Sequence, residues 1–131
     1  MSAPYSLHPH GPIWLQGTGA TAVSGATGVT TGTGGILMLG GKVARQTFVL
    51  QGNDATGVIT GGVITIEEAY WDANGPAFGG TWSQITTVTG ANLSSGAQQY
   101  VHVFSSAWAV RARISTAISG GGSVSVVAWG N

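Results

Sequence analysis

Few residues in this chain have the type and spacing to do chemistry. Two histidines stand close together in His8-Pro9-His10, two glutamates are adjacent at Glu67 and Glu68, and one residue separates Arg111 from Arg113. A His-x-His pair on a strand can offer a metal two ligands, but zinc takes a third or fourth from elsewhere. Pro9 and the terminal position favour a tail conformation instead, so the expectation is no metal and no other cofactor. Glu67 and Glu68 match the paired carboxylates of glycoside hydrolysis in type only. Neighbours on a strand point to opposite faces, so the two cannot flank one bond. There is no Gly-x-Ser-x-Gly elbow, no phosphate-binding Gly-x-x-x-x-Gly-Lys, no His-Glu-x-x-His and no cysteine. The expectation is a chain that is not an enzyme and has no catalytic residues.

The arginines read better as structure. Arg111 and Arg113 share a strand face, and a neighbouring strand carrying Glu67 would complete a charge ladder. At a subunit boundary such a ladder sets orientation and partner choice. With Trp14 as an aromatic anchor, Glu67, Arg111 and Arg113 are the candidate partner-contacting residues. The five tryptophans are Trp14, Trp71, Trp82, Trp108 and Trp129, and packing in the core is the favoured role for most of them. In a second reading, Tyr70, Trp71 and Trp82 bracket a loop and could stack on sugar rings as a glycan-binding site.

Composition bears on the partners. The chain has four basic and four acidic residues, 23 glycines and zero formal net charge, where ordinary soluble domains carry about 25% charged residues. A free monomer relies on mixed charge and some net charge to stay dispersed. With so little of either, much of this surface is expected to be covered by other protein, including further copies of itself. Lys42, Arg45, Arg111 and Arg113 form no basic run, which argues against nucleic acid. The longest apolar run, Ile36 to Leu39, is far below the ~20 residues that span a bilayer, so no membrane partner is expected. The first ten residues lack a basic stretch followed by a continuous apolar one, and the expectation is synthesis in the cytoplasm without a signal peptide.

The elements that must position these residues are strands. Ala107 to Ile114 alternates Trp108, Val110, Ala112 and Ile114 with Ala109, Arg111 and Arg113, the pattern of a half-buried strand. Further strands are predicted over Val43–Leu50, Val63–Trp71, Thr81–Thr89, Gln98–Phe104 and Ser123–Trp129, with Ile36–Leu39 and Ile13–Leu15 adding one or two. Turn signals about every 8–12 residues suit a single all-β sandwich, jelly-roll favoured and immunoglobulin-like second. Residues 1–35, including the Gly/Thr/Ala-rich stretch 17–35, read as an extended N-terminal arm, and residues 36–131 as the sandwich domain.

The progression GGVITIEEAYWD, TWSQITTV and AQQYVHVFSSAWAVRARISTAISGGGSVSVVAWGN resembles small β-sandwich proteins of tailed-phage virions. A strand ends near a Trp, an Arg-Ala-Arg-Ile strand follows, and a Gly-rich turn leads to a closing Val-rich strand. The resemblance covers Gly61 to Asn131 and points to the jelly-roll decoration, or cement, proteins of the capsid exterior. It implies a virion structural protein bound to the major capsid protein as a homo-oligomer. The alternative is a receptor- or glycan-binding sandwich of a fibre or tail tip.

Overall fold

The computed structural model describes residues 10–17, 28–41, 44–71 and 78–130. Eight strands run through them: β1 (His10–Gln16), β2 (Gly32–Met38), β3 (Ala44–Asn53), β4 (Gly61–Trp71), β5 (Phe78–Thr89), β6 (Gln98–Ser105), β7 (Ala109–Ser119) and β8 (Ser123–Gly130). They form two antiparallel four-stranded sheets, ordered β1-β8-β3-β6 and β2-β7-β4-β5. The chain changes sheet at every connection except β4 to β5, and the first strand pairs with the last. This is the jelly-roll order. An immunoglobulin-like sandwich pairs its first strand with its second, so that alternative does not hold.

Period-two alternation decides which side of each strand faces the other sheet. On β7, Val110, Ala112 and Ile114 are fully buried while Arg111 and Arg113 face out. On β8, Val124, Val126 and Ala128 are buried with Ser125, Val127 and Trp129 outside. Phe48 and Leu50 of β3, Ile64 and Ile66 of β4, and Leu37 of β2 complete the layer between the sheets. Among the described residues two buried polar side chains link the sheets: Ser105 of β6 donates from Oγ to Glu68 Oε1 of β4 at 2.7 Å, and Gln16 makes the other link. Gln16 of β1 donates from Nε2 to the carbonyls of Gly32 and Ala112, and its Oε1 accepts from Gly28 N.

Two expectations need correction. The boundary between an arm and a domain, placed at 35/36, falls inside β2, and both β1 and β2 are sheet members. Leu15 is fully buried and Val29 O accepts from Ile118 N, so hydrogen bonds and burial tie these residues into the sandwich. Residues 1–9 and 18–27 of the proposed arm lie outside the described residues. Second, no tryptophan is in the buried core. The space between the sheets is filled by Val, Ile, Leu and Ala with one Phe, and an indole at an inward position would overfill a layer of that thickness. The connection after β5 is also structured. It forms a kinked 3-10 segment, Gly90–Gly96, that plugs one end of the sandwich with fully buried Leu93.

That plug fixes a glycine. A Cβ on Gly52 would lie 2.0 Å from the Leu93 carbonyl oxygen, so any larger residue on this stretch of β3 would push the plug away. Truncating Phe48, the largest fully buried side chain, is expected to cost about 3–5 kcal/mol. Trp129→Ala, which empties no core volume, should cost under about 1 kcal/mol. Urea titrations of the two variants check the difference.

Candidate functional site

The outer face of the β2-β7-β4-β5 sheet gathers three of the six described charged side chains, Glu67, Arg111 and Arg113. Glu67 of β4 lies directly opposite Arg111 of β7, and Arg113 pairs two positions along, with Thr65. Arg111 Nε donates to Glu67 Oε1 at 2.8 Å, while Arg113 donates from Nε to Oε1 at 3.1 Å and from Nη2 to Oε2 at 3.2 Å. The ring of Trp82, carried on β5 opposite Ala69, lies under the Arg111 guanidinium at 4.0 Å, a cation–π contact. Between these groups Glu67 is only 6% exposed. Burial works to raise the Glu67 pKa, but the hydrogen bonds and charges of Arg113 and Arg111 outweigh it and hold the carboxyl below its ordinary range. The Glu67 hydrogen bond in turn raises the pKa of Arg113. Beside this cluster, Thr65 Oγ1 and Ser115 Oγ share a hydrogen bond of 2.6 Å. The charge ladder therefore exists, as a contact within one chain.

The opposite face of the molecule is different in kind. The register across β1-β8-β3-β6 places Trp14, Val127, Val49 and Tyr100 in one row spanning all four strands. The next row holds Trp129, Thr47 and His102, and beyond it Arg45 stands opposite Phe104. Trp14 is 41% exposed, Trp129 46%, Tyr100 58% and Phe104 68%. Arg45 is the one charged side chain among the described outward residues of this sheet, and its guanidinium sits 6.0 Å from the Phe104 ring centre. Two shallow depressions of about 340 Å3 each indent the face. Trp14, Val49 and Val127 line one; Thr47, His102 and Trp129 line the other.

The candidate contact residues therefore separate. Glu67, Arg111 and Arg113 come together on one sheet, and Trp14 lies on the outer face of the other. The glycan trio forms no shared platform. Tyr70 and Trp71 are consecutive on β4 and point to opposite sides; Tyr70 donates from its hydroxyl to Glu68 Oε1 at 3.4 Å. Trp71 meets Trp108 edge-on with ring centres 4.5 Å apart, and Arg111 covers one face of Trp82. His8 lies outside the described residues, as does the loop 72–77, and among the described residues no cluster of three or more His, Cys, Asp or Glu side chains could hold a metal.

Sequence reasoning missed Tyr100, Phe104, Val49 and Val127 as surface residues. On β6 each alternating set mixes two apolar or aromatic residues with two polar ones, Val101 and Val103 with Gln99 and Ser105 against Tyr100 and Phe104 with Gln98 and His102, so alternation alone does not say which set faces in. The one available signal was size, since the bulkier set is the one that a thin core excludes.

No family model, curated protein or solved structure matches this chain.

The lowered Glu67 pKa has a consequence for stability. A carboxyl whose pKa is depressed by folding adds stability at pH values above its unfolded pKa and loses it as pH falls through the folded value. The loss should begin near the ordinary carboxylate value of 4.5 and continue below it. Glu67→Gln is expected to cost about 1–3 kcal/mol at neutral pH, because both arginines lose their charged acceptor. The variant and the parent should converge in acid, where Glu67 is protonated. Urea midpoints measured from pH 7 down to pH ~2.5 would check both the cost and the convergence.

Proposed function

We propose that this chain is a non-enzymatic structural protein of a tailed-phage virion. In this reading it is a capsid decoration, or cement, protein whose β1-β8-β3-β6 outer face seats on the major capsid protein. The observation that carries the reading is the character of that face: exposed Trp14, Tyr100, Phe104 and Trp129 with Arg45 as the lone described charge. Contiguous exposed apolar surface marks an interaction site, and buried aromatic anchors dominate the energy of protein contacts. The resemblance of residues 61–131 to decoration proteins supplies the identity of the partner. The jelly-roll architecture supports it weakly, since lectins and cupins share that architecture.

A shell contact of this kind suits a charge-poor chain. Interactions between exposed charges weaken as salt rises, whereas apolar contacts do not, so a particle passing through varied media would keep its coat. Each contact can be modest when the shell presents many sites and adjacent copies reinforce one another. The fibre or tail-tip alternative, a glycan-binding module, has less support because Tyr70, Trp71 and Trp82 do not converge.

Quantitative mass spectrometry of purified particles, reporting copies of this chain against the major shell protein, tests the reading. A ratio near one, or a simple fraction of it, is the expected result. A handful of copies per particle favours a fibre or tail tip, and absence from particles sinks the virion reading altogether. In rebinding to stripped particles, Trp129→Ser and Trp14→Ser should each weaken affinity about 30-fold, the equivalent of losing about 2 kcal/mol at an anchor. Ile36→Ser, on the other sheet, should leave it unchanged.

A further inference from the structure

Four strands end the two sheets: β1 and β6 in one, β2 and β5 in the other. Exposed edges invite pairing with other chains, and natural proteins guard them with Pro, charge, bulges or short length. Three of these edges are guarded. β1 carries Pro12 and two register shifts against β8. β2 has three glycines and a shift against β7. β5 shifts twice against β4.

The fourth is not. β6 keeps one-for-one register with β3 from Ala44 opposite Ser105 to Gln51 opposite Gln98. It contains no Pro, Gly, Asp, Glu, Lys or Arg. Among the described residues no strand pairs with its other side. A second observation points to the same flank. Two partly buried hydrophobic residues pack against the core, Ile85 of β5 and Val101 of β6, and both sit on the strands that bound this side. On the opposite side β1 and β2 contact each other and close the sandwich.

We infer that β6 pairs antiparallel with β6 of a second copy about a twofold axis at Val101, giving a continuous sheet ordered β1-β8-β3-β6-β6-β3-β8-β1. Opposed residues in an antiparallel pair point to the same face. A twofold axis through one residue is therefore what keeps the outward set against the outward set. With the axis at Val101, the two Val101 side chains meet on the core side of the seam. Tyr100 then stands opposite the second copy's His102, and Gln98 opposite its Phe104. An axis at His102 would instead set the two His102 rings directly against each other and give up the Val101 contact on the core side. Because the strand carries no formal charge at neutral pH, its own copy approaches without repulsion.

Area favours a copy as the occupant, in a step that rests on the contact-face reading above. One four-stranded face measures roughly 19 by 26 Å, or about 500 Å2, below the ~800 Å2 per partner of a standard specific interface. Two faces joined edge to edge offer roughly 1,000 Å2. Self-pairing thus turns a contact of marginal size into an adequate one without adding residues.

The chain has no cysteine, so single-cysteine variants report proximity cleanly. Under mild oxidation of the isolated full chain, Val101→Cys should form disulfide-linked dimer at least about tenfold faster than His102→Cys or the distant control Thr87→Cys, because pairing raises the effective thiol concentration only at the axis. Light scattering of the unmodified chain should give a mass that rises with concentration toward twice 13.1 kDa. Val101→Lys, which sets two ammonium groups against each other, should return it to the monomer mass with an unchanged circular dichroism spectrum. A monomer mass at every concentration overturns the inference, as does Val101→Cys linking no faster than the Thr87→Cys control. Faster linking by His102→Cys overturns the Val101-centred axis. No capsid enters these measurements, so their failure and failure of the particle-binding experiment can be told apart.

Discussion

The inward-facing side chains of the two sheets place every outward one. Phe48, Leu50, Ile64, Ile66, Val110, Ile114, Val124 and Val126 are all fully buried, and each fixes its two sequence neighbours on the solvent side of its own sheet. A slip of one residue in any strand would exchange the two sets and expose the core. Gln16 adds direction to this burial. Its amide bridges β1 to the carbonyls of Gly32 and Ala112 on the other sheet, and a buried amide left without those partners would cost about 1–3 kcal/mol. The rows of Trp14, Val127, Val49 and Tyr100 on one face, and of Ile36, Arg111, Glu67 and Gln84 on the other, are consequences of that one constraint.

The two outer faces then use a small supply of charge very differently. On the β2-β7-β4-β5 sheet, one carboxylate takes donors from two arginines, one of which rests on an indole. That arrangement satisfies most of its polar groups internally and offers a partner little that is unspent. On the other sheet, hydroxyl and amide groups sit among aromatic rings with one cation at a corner. The solvation cost of such a face falls when it is covered, and charge-assisted contacts need not be broken first. The asymmetry between the faces is a stronger guide to which one meets other protein than the count of tryptophans, since Trp71, Trp82 and Trp108 belong to intramolecular contacts.

The sandwich was legible because alternation and turn signals are local. Val110, Ala112 and Ile114 against Arg111 and Arg113 settled the orientation of β7, and the two-residue spacing of the arginines anticipated a ladder with Glu67. Where the sequence was silent, the deciding partner came from far along the chain. Gly32 to Gly35 reads as the end of an extended arm by composition, yet it becomes part of a strand because β7 supplies its hydrogen bonds. Leu93 sits in a polar run of Asn, Ser and Gly and becomes core because Gly52, some forty residues earlier, leaves room for it. The exposure of Trp14 and Trp129 follows from a layer thickness that both sheets set together, and no single strand carries that information.

A face with almost no charge must obtain specificity from shape. Long-range steering is weak for it, so encounter rates should lie in the range of neutral partners, and discrimination falls to the fit of rings into complementary hollows. The two depressions beside Trp14 and Trp129 give this face relief that a flat apolar sheet lacks. Relief of that kind rejects a mismatched partner by leaving voids, each void forfeiting the dispersion contacts of the atoms that line it. It also limits the hazard of an exposed apolar surface, because two identical copies pressed face to face would set protruding rings against protruding rings. Pairing along β6 avoids that collision. It joins copies side by side and leaves both relief-bearing faces turned the same way, toward whatever surface they cover.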